Sequence, residues 1–74
     1  MEILKRDLII YDEENIYLAL KNLYNEKGYE TETAMTGEEA LDRISERFFN
    51  VALIDINLPD IEGIDLVESF RKKK

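Results

Sequence analysis

A single carboxylate, Asp55, follows an unbroken apolar run, Val51–Ile54, and a turn marked by Pro59 and Gly63 comes after it. A continuous apolar run between turn signals is typical of a strand buried on both faces of a parallel sheet. A carboxylate buried without a partner is costly, so we expect Asp55 at the end of the strand, near water or a cation. Because ligands bind at the carboxyl ends of strands in open α/β sheets, Asp55 is the leading candidate for chemistry.

A second carboxylate, Asp12, follows another apolar segment, which runs from Leu4 to Tyr11. Two interpretations of Asp12 stay open. An aspartate at the start of a helix can cap its free N–H groups, and a carboxylate at the end of a strand can bind a metal ion.

The elements that must position these two carboxylates form three strand-helix units. Thr36 and Glu39 have the spacing of a capping box at the start of the second helix. In the third helix we expect Ile64, Val67 and Phe70 to point inward, with Leu66 beside them. The predicted bounds are about 4–11, 14–27, 29–34, 37–47, 51–56 and 61–72 or 63–72.

Alternating strands and helices indicate an α/β fold with a parallel sheet. The alternating Thr and Glu residues of the second strand suit an edge position, so we predict the strand order 2-1-3. The fold class is then a three-layer α-β-α arrangement around a three-stranded parallel sheet. Neighbouring strands lie about 4.8 Å apart, so Asp12 and Asp55 would converge at one end of the sheet.

Composition removes several classes of function. The chain has 74 residues, no cysteine and no histidine, which excludes disulfides, the usual zinc sites and histidine-dependent triads. Any metal must therefore be bound by oxygen. The net charge of −7 argues against binding of nucleic acid by this domain. We see no signal peptide and no transmembrane run, so we expect a cytoplasmic chain that does not enter the membrane.

Three stretches together resemble the receiver domain of two-component response regulators, which has the flavodoxin-like fold. Residues 10–16, Ile-Tyr-Asp-Glu-Glu-Asn-Ile, resemble the end of the family's first strand. In the family's phosphorylation strand and turn, proline follows the aspartate by four residues and glycine by eight, and Asp55, Pro59 and Gly63 have this spacing. Residues 36–41 resemble the usual entry into the second helix.

This resemblance implies that Asp55 is the phosphoacceptor, phosphorylated by a sensor histidine kinase with Mg²⁺ as cofactor. It also implies that the metal is bound by Asp12, by Asp55 and by the backbone carbonyl of Asn57. The chain would then be a signalling module and not an enzyme.

Two departures from the family pattern bear on activity. Tyr11 stands where the first residue of an acidic pair is usual, which should weaken Mg²⁺ binding. The 74 residues contain the first three of five strand-helix units, so residues 1–74 are expected to be a partial receiver domain. The family's hydroxyl residue after strand four and lysine after strand five are absent from them, and we expect impaired function.

An open third strand predicts self-association. Without a fourth strand beside it, the strand at residues 51–56 presents unpaired backbone groups, so we expect a homodimer or a domain-swapped oligomer. The alternative function is therefore a dimerisation or assembly module that does not depend on phosphorylation. A small phosphatase with an aspartate nucleophile is disfavoured, because Asp55-Ile56-Asn57 lacks a second aspartate.

Overall fold

The computed structural model describes residues 5–72. Three strands and three helices alternate along the chain, as the sequence predicts. They are β1 (Arg6–Ile10), α1 (Glu14–Glu26), β2 (Glu30–Ala34), α2 (Gly37–Glu46), β3 (Val51–Ile54) and α3 (Gly63–Lys72). Leu4, the predicted start of β1, lies outside the described residues. No helix within 5–72 is long and apolar enough to cross a membrane.

The three strands form one parallel sheet in the order β2-β1-β3, which confirms the predicted topology. Register is set on both sides of the central strand, where Ile10 pairs with Ala34 of β2 and with Ile54 of β3. The three strands therefore end at the same level of the sheet. The residues that follow β1 and β3 enter the same region of space.

The core lies on the face of the sheet that α2 and α3 cover. Leu8 and Ile10 of β1 are fully buried there against Ala40 of α2 and Leu66 of α3. Helix α1 packs on strands β1 and β2 and completes the three-layer arrangement. It has no fully buried residue, so most of the buried apolar surface belongs to the layer that contains α2 and α3.

Helix α2 begins at the predicted cap. The Thr36 hydroxyl accepts a hydrogen bond from the Glu39 N–H at 3.1 Å. Glu39 reaches back to the N–H of Met35, at 3.1 Å, one residue earlier than a standard capping box predicts. The local signal in the sequence therefore identified the start of α2 correctly.

Two predictions about burial are wrong, and both concern the same side of the molecule. Strand β3 is not buried on both faces, since Ala52 is exposed and no other residue of the strand is fully buried. In α3, Leu66 is fully buried but Ile64 is 68% exposed and Val67 is 41% exposed. Within residues 5–72 nothing pairs with the outer edge of β3, so these apolar side chains remain uncovered.

The opposite edge of the sheet is charged. Glu32 of β2 lies between two arginines of α2 and its C-terminus, with oxygens 3.4 Å from Arg43 and 2.6 Å from Arg47. Arg6 of β1 pairs with Glu30 at 3.3 Å. Charged side chains on an edge strand disfavour pairing with another chain, so the edge at β2 is protected.

Candidate functional site

The carboxyl ends of β1 and β3 bring the candidate residues to one end of the sheet. The Asp55 N–H donates to the Ile10 carbonyl at 2.9 Å, which extends the ladder one residue past the end of β3. Asp12 follows Ile10 by two residues. The two carboxylates therefore belong to neighbouring strand ends, as the predicted topology requires.

The side chain of Asp55 is half-buried and fixed by the turn that follows it. Its Oδ1 accepts a hydrogen bond from the Asn57 N–H at 3.1 Å. The loop closes on itself because Asn57 and Glu62 form an antiparallel bridge and the Gly63 N–H donates to the Ile56 carbonyl at 2.8 Å. Asp55 thus stands at the base of a compact loop, residues 55–63.

Gly63 closes this loop by lying directly against its base. A Cβ atom at this position would lie 2.5 Å from the Asp55 carbonyl oxygen and 3.1 Å from the Ile56 Cα. Any side chain would therefore displace the backbone that carries the candidate nucleophile. The spacing of eight residues between Asp55 and Gly63 has this physical basis.

Asp12 is exposed and does not cap α1. The N-cap position of that helix is Glu13, and no side chain forms a capping bond there. Of the two interpretations of Asp12, the cap is the one that the structure does not support. Tyr11 is half-buried, and its N–H donates to the Ala34 carbonyl at 3.2 Å, so this residue continues the ladder with β2.

The donors at this end of the sheet suit a hard cation. Asp12, Asp55 and the Asn57 carbonyl supply oxygen only, and Mg²⁺ prefers one or two carboxylates with waters completing its shell. Within residues 5–72 no group of three or more acidic, histidine or cysteine side chains gathers around one point. A metal here would therefore depend on the backbone carbonyl and on water as well as on the two carboxylates.

Sequence reasoning missed two acidic residues with specific partners. The Asp60 carboxylate bonds to the N–H groups of Gly37 and Glu38 at the start of α2. Asp7 is fully buried in β1, where its Oδ1 accepts from the Thr31 hydroxyl at 2.6 Å. Asp60 gave no local signal, because its partners lie more than 20 residues away; a charged residue inside an apolar strand was the available signal for Asp7.

A family-wide profile described as response regulator receiver domain matches residues 8–74. The chain belongs to this family. The resemblance drawn from Asp55, Pro59 and Gly63 is therefore confirmed at the level of the family, whose members are signalling modules. Among curated relatives, the PhoP transcriptional regulatory protein for alkaline phosphatase synthesis of Bacillus subtilis is 33% identical over 70 residues. That match covers 95% of this chain and 29% of PhoP.

Solved receiver structures share the fold. A CheY-like receiver domain of Methanospirillum hungatei is 44% identical with a TM-score of 0.93, covering 97% of this chain and 58% of that one. The response regulator TrrA of Thermotoga maritima, solved with Mg²⁺ and BeF, is 41% identical with a TM-score of 0.91, covering 96% and 62%. TrrA has also been solved in complex with the histidine kinase ThkA. This chain thus spans about three fifths of the length of these two solved receivers.

Proposed function

We propose that this receiver domain accepts a phosphoryl group on Asp55 from a sensor histidine kinase. The observation that carries the proposal is the fixed position of Asp55 at the end of β3, bonded through its N–H to β1 and through its Oδ1 to Asn57. Membership of the receiver family supports it. The kinase complex of TrrA supports a partner of this class.

For phosphoryl transfer to Asp55, the chain has mainly to position the carboxylate and to balance charge. An Asp55 oxygen forms a bond to phosphorus while the bond from phosphorus to the kinase imidazole breaks and its electron pair returns to the ring. The product is an acyl phosphate on Asp55. Its half-buried setting at the base of the 55–63 loop holds the attacking oxygen in one orientation.

We assign the Mg²⁺ ligands to the carboxylates of Asp12 and Asp55 and to the Asn57 carbonyl. These oxygens would hold Mg²⁺, which would supply positive charge against the negative charge of the phosphoryl group. The oxygen donor set fits, and the Mg²⁺ complex of TrrA shows that a relative of the same fold binds this metal. Tyr11, standing beside Asp12 in place of an acid, supplies no second carboxylate, so we expect weak Mg²⁺ binding.

The test is incubation with acetyl phosphate and Mg²⁺, followed by intact-protein mass spectrometry. We expect a gain of one phosphoryl group in the wild type and no gain in Asp55→Asn. The matched control is Asp65→Asn, which removes an exposed carboxylate from α3 and should retain the gain. A wild type that gains nothing, or a gain that survives Asp55→Asn, would contradict the assignment.

The proposal extends to the rest of the assignment made from sequence. We propose that residues 1–74 form part of a receiver domain and that the domain acts in the cytoplasm. Binding to nucleic acid is not part of this function, since the net charge is −7.

A second candidate function, assembly without phosphorylation, is favoured by one observation. An apolar cleft of about 500 Å³ lies between the end of β3 and α3, lined by Ile54, Ile56, Gly63, Ile64 and Val67. An open apolar edge of this kind pairs readily with another strand. The assembly we propose is a homodimer, or a domain-swapped oligomer, formed through residues 51–56.

Two measurements separate the two functions. Sedimentation with and without acetyl phosphate reports whether association depends on phosphorylation. Association that is the same with and without the phosphodonor supports the assembly module, whereas a mass gain on Asp55 supports the phosphoacceptor.

A further inference from the structure

The loop that follows Asp55 is attached to a second element, the N-terminus of α2. Asp60 Oδ1 accepts from the Gly37 N–H at 2.8 Å, and Oδ2 accepts from the Glu38 N–H at 3.0 Å. These two hydrogen bonds use both oxygens of one carboxylate on consecutive N–H groups of a helix of 10 residues. A charge-assisted pair of this kind is among the stronger hydrogen-bond arrangements.

The attachment accounts for N–H groups that α2 cannot satisfy itself. A helix leaves its first N–H groups without partners in the helix. In α2 the third, that of Glu39, bonds to the Thr36 hydroxyl, and the fourth, that of Ala40, bonds to the Thr36 carbonyl at 3.1 Å. The first two N–H groups, those of Gly37 and Glu38, bond to Asp60, which lies in the 55–63 loop.

Packing and charge both reinforce the attachment. Gly37 is buried, and a Cβ atom at this position would overlap the Ile61 side chain, so the backbone of α2 packs directly against side chains of the 55–63 loop. The hydrogen bonds from the Gly37 and Glu38 N–H groups hold the pKa of the Asp60 carboxyl below its ordinary value of 3.8, against an opposing effect of burial. Asp60 is therefore ionised at neutral pH, the state in which both of its oxygens accept most strongly.

The same loop is held at its other end by the candidate phosphoacceptor. Asp55 Oδ1 bonds to the Asn57 N–H, and Asn57 bridges to Glu62 across the loop. Asp60 lies between these two bridge residues, at the tip. A group that changes the charge of Asp55, or competes with Asn57 for its oxygen, therefore acts on the loop whose tip caps α2.

We propose that Asp60 couples the Asp55 site to helix α2, so that a change at Asp55 alters the cap at Gly37 and Glu38. The part of this inference in which phosphorylation causes the change rests on the proposed function of Asp55. The coupling itself requires only that the loop transmit a change between its base and its tip. The output surface that this device would act on is the N-terminal turn of α2.

The test is amide NMR with hydrogen exchange on the whole chain. In the wild type, Mg²⁺ with beryllofluoride, which mimics a phosphoryl group, should shift the amide resonances of Gly37 and Glu38. The substitution Asp55→Asn, made without any phosphate mimic, should shift the same two resonances. In Asp60→Ala, hydrogen exchange of these two amides should be roughly tenfold faster or more, because two charge-assisted hydrogen bonds are lost. In the Asp60→Ala background, neither the mimic nor Asp55→Asn should shift the two resonances.

Two further variants and an internal reference keep the result interpretable. Asp65→Ala removes an exposed acid from the first turn of α3 and should leave both responses intact. If Asp60→Ala loosens the whole of α2, Asp60→Asn replaces it, since the amide oxygen still accepts from one N–H. The Glu39 amide, which is capped by Thr36, serves as an internal reference in every variant.

Failure of the coupling is distinguishable from failure of the proposed function. If beryllofluoride does not bind but Asp55→Asn still shifts Gly37 and Glu38 through Asp60, the coupling stands and the phosphoacceptor assignment is contradicted. If Asp55 responds to the mimic while Gly37 and Glu38 do not, the coupling is wrong. Equal responses in the wild type and Asp60→Ala would also overturn it.

Discussion

Asp7 places a carboxyl group inside the central strand, fully buried beside Thr31 of β2. Its Oδ1 has a short hydrogen bond to the Thr31 hydroxyl, whereas within residues 5–72 its Oδ2 has no hydrogen-bond partner. A buried polar atom without a partner costs about 1–3 kcal/mol. The chain therefore carries a destabilising group in β1, with Thr31 as the partner that limits its cost.

We therefore predict that removing both polar groups costs less unfolding free energy than removing the Thr31 hydroxyl alone. Thr31→Val leaves the buried carboxyl without a partner and should lower the free energy of unfolding by about 1–3 kcal/mol. The double variant Asp7→Val/Thr31→Val removes both polar groups and should be at least as stable as the wild type. Urea denaturation measures all three, and Thr33→Val, on the same strand, is the matched control. A double variant less stable than the wild type would contradict this account.

Helix α3 shows at the scale of the element how an apolar stripe divides into a buried part and an uncovered part. Leu66 is fully buried against the core, whereas Ile64 is 68% exposed although the helical period places it on an apolar stripe. The hydrophobic period identifies which residues are apolar on one side. It does not state whether the chain supplies an element to cover them.

The two positions should therefore respond differently to substitution. Leu66→Ala is expected to cost about 2–5 kcal/mol of unfolding free energy, because it opens a cavity in the core. Ile64→Ala should stay within about 0.5 kcal/mol of the wild type, as exposed positions usually do. Chemical denaturation of both variants measures this, and a large loss at Ile64 would show that its side chain is covered in solution.

The elements themselves were predictable because their signals are local. Apolar runs, the Thr36 cap and the spacing of Asp55, Pro59 and Gly63 lie within short stretches of sequence, and the edge character of β2 completed the strand order. The contacts of Asp60 were not predictable, because a loop aspartate carries no mark of a helix that begins 23 residues earlier. The burial of β3 was wrong because an apolar run indicates what a strand requires and not which neighbours it has.

At the scale of the whole molecule, the sheet has two unlike edges. The Asp55 N–H bonds to Ile10 of β1. Successive residues of a strand direct their N–H groups to opposite sides, so we expect those of Ala52 and Ile54 to face the open edge. Ile54 also lines the apolar cleft beside that edge. Backbone donors and an apolar surface therefore coincide on one side of the molecule.

Association through this edge predicts a specific sensitivity. Ala52→Lys places a charge on an exposed position of the open strand and should weaken association in analytical ultracentrifugation, while Met35→Lys, at an exposed position after the other edge strand, should not. Because each copy carries a net charge of −7, added salt should strengthen wild-type association by screening repulsion. A wild type that remains a folded monomer at micromolar concentration would contradict the proposed dimer.

The ion pairs of Glu30 and Glu32 on the β2 edge bear on how many copies can join. Ion pairs at a protein surface contribute only about 0.2–1 kcal/mol each to stability. Glu30 and Glu32, with Arg6, Arg43 and Arg47, nevertheless occupy the edge that a head-to-tail contact would need. Each copy then has one edge that can accept a strand. A copy joined at β3 offers no second open edge to a third copy. Isologous pairing closes at two copies, whereas repeated β3-to-β2 addition would grow a fibre. In the dimer that we propose, the charged edge of β2 would therefore stop assembly at two copies.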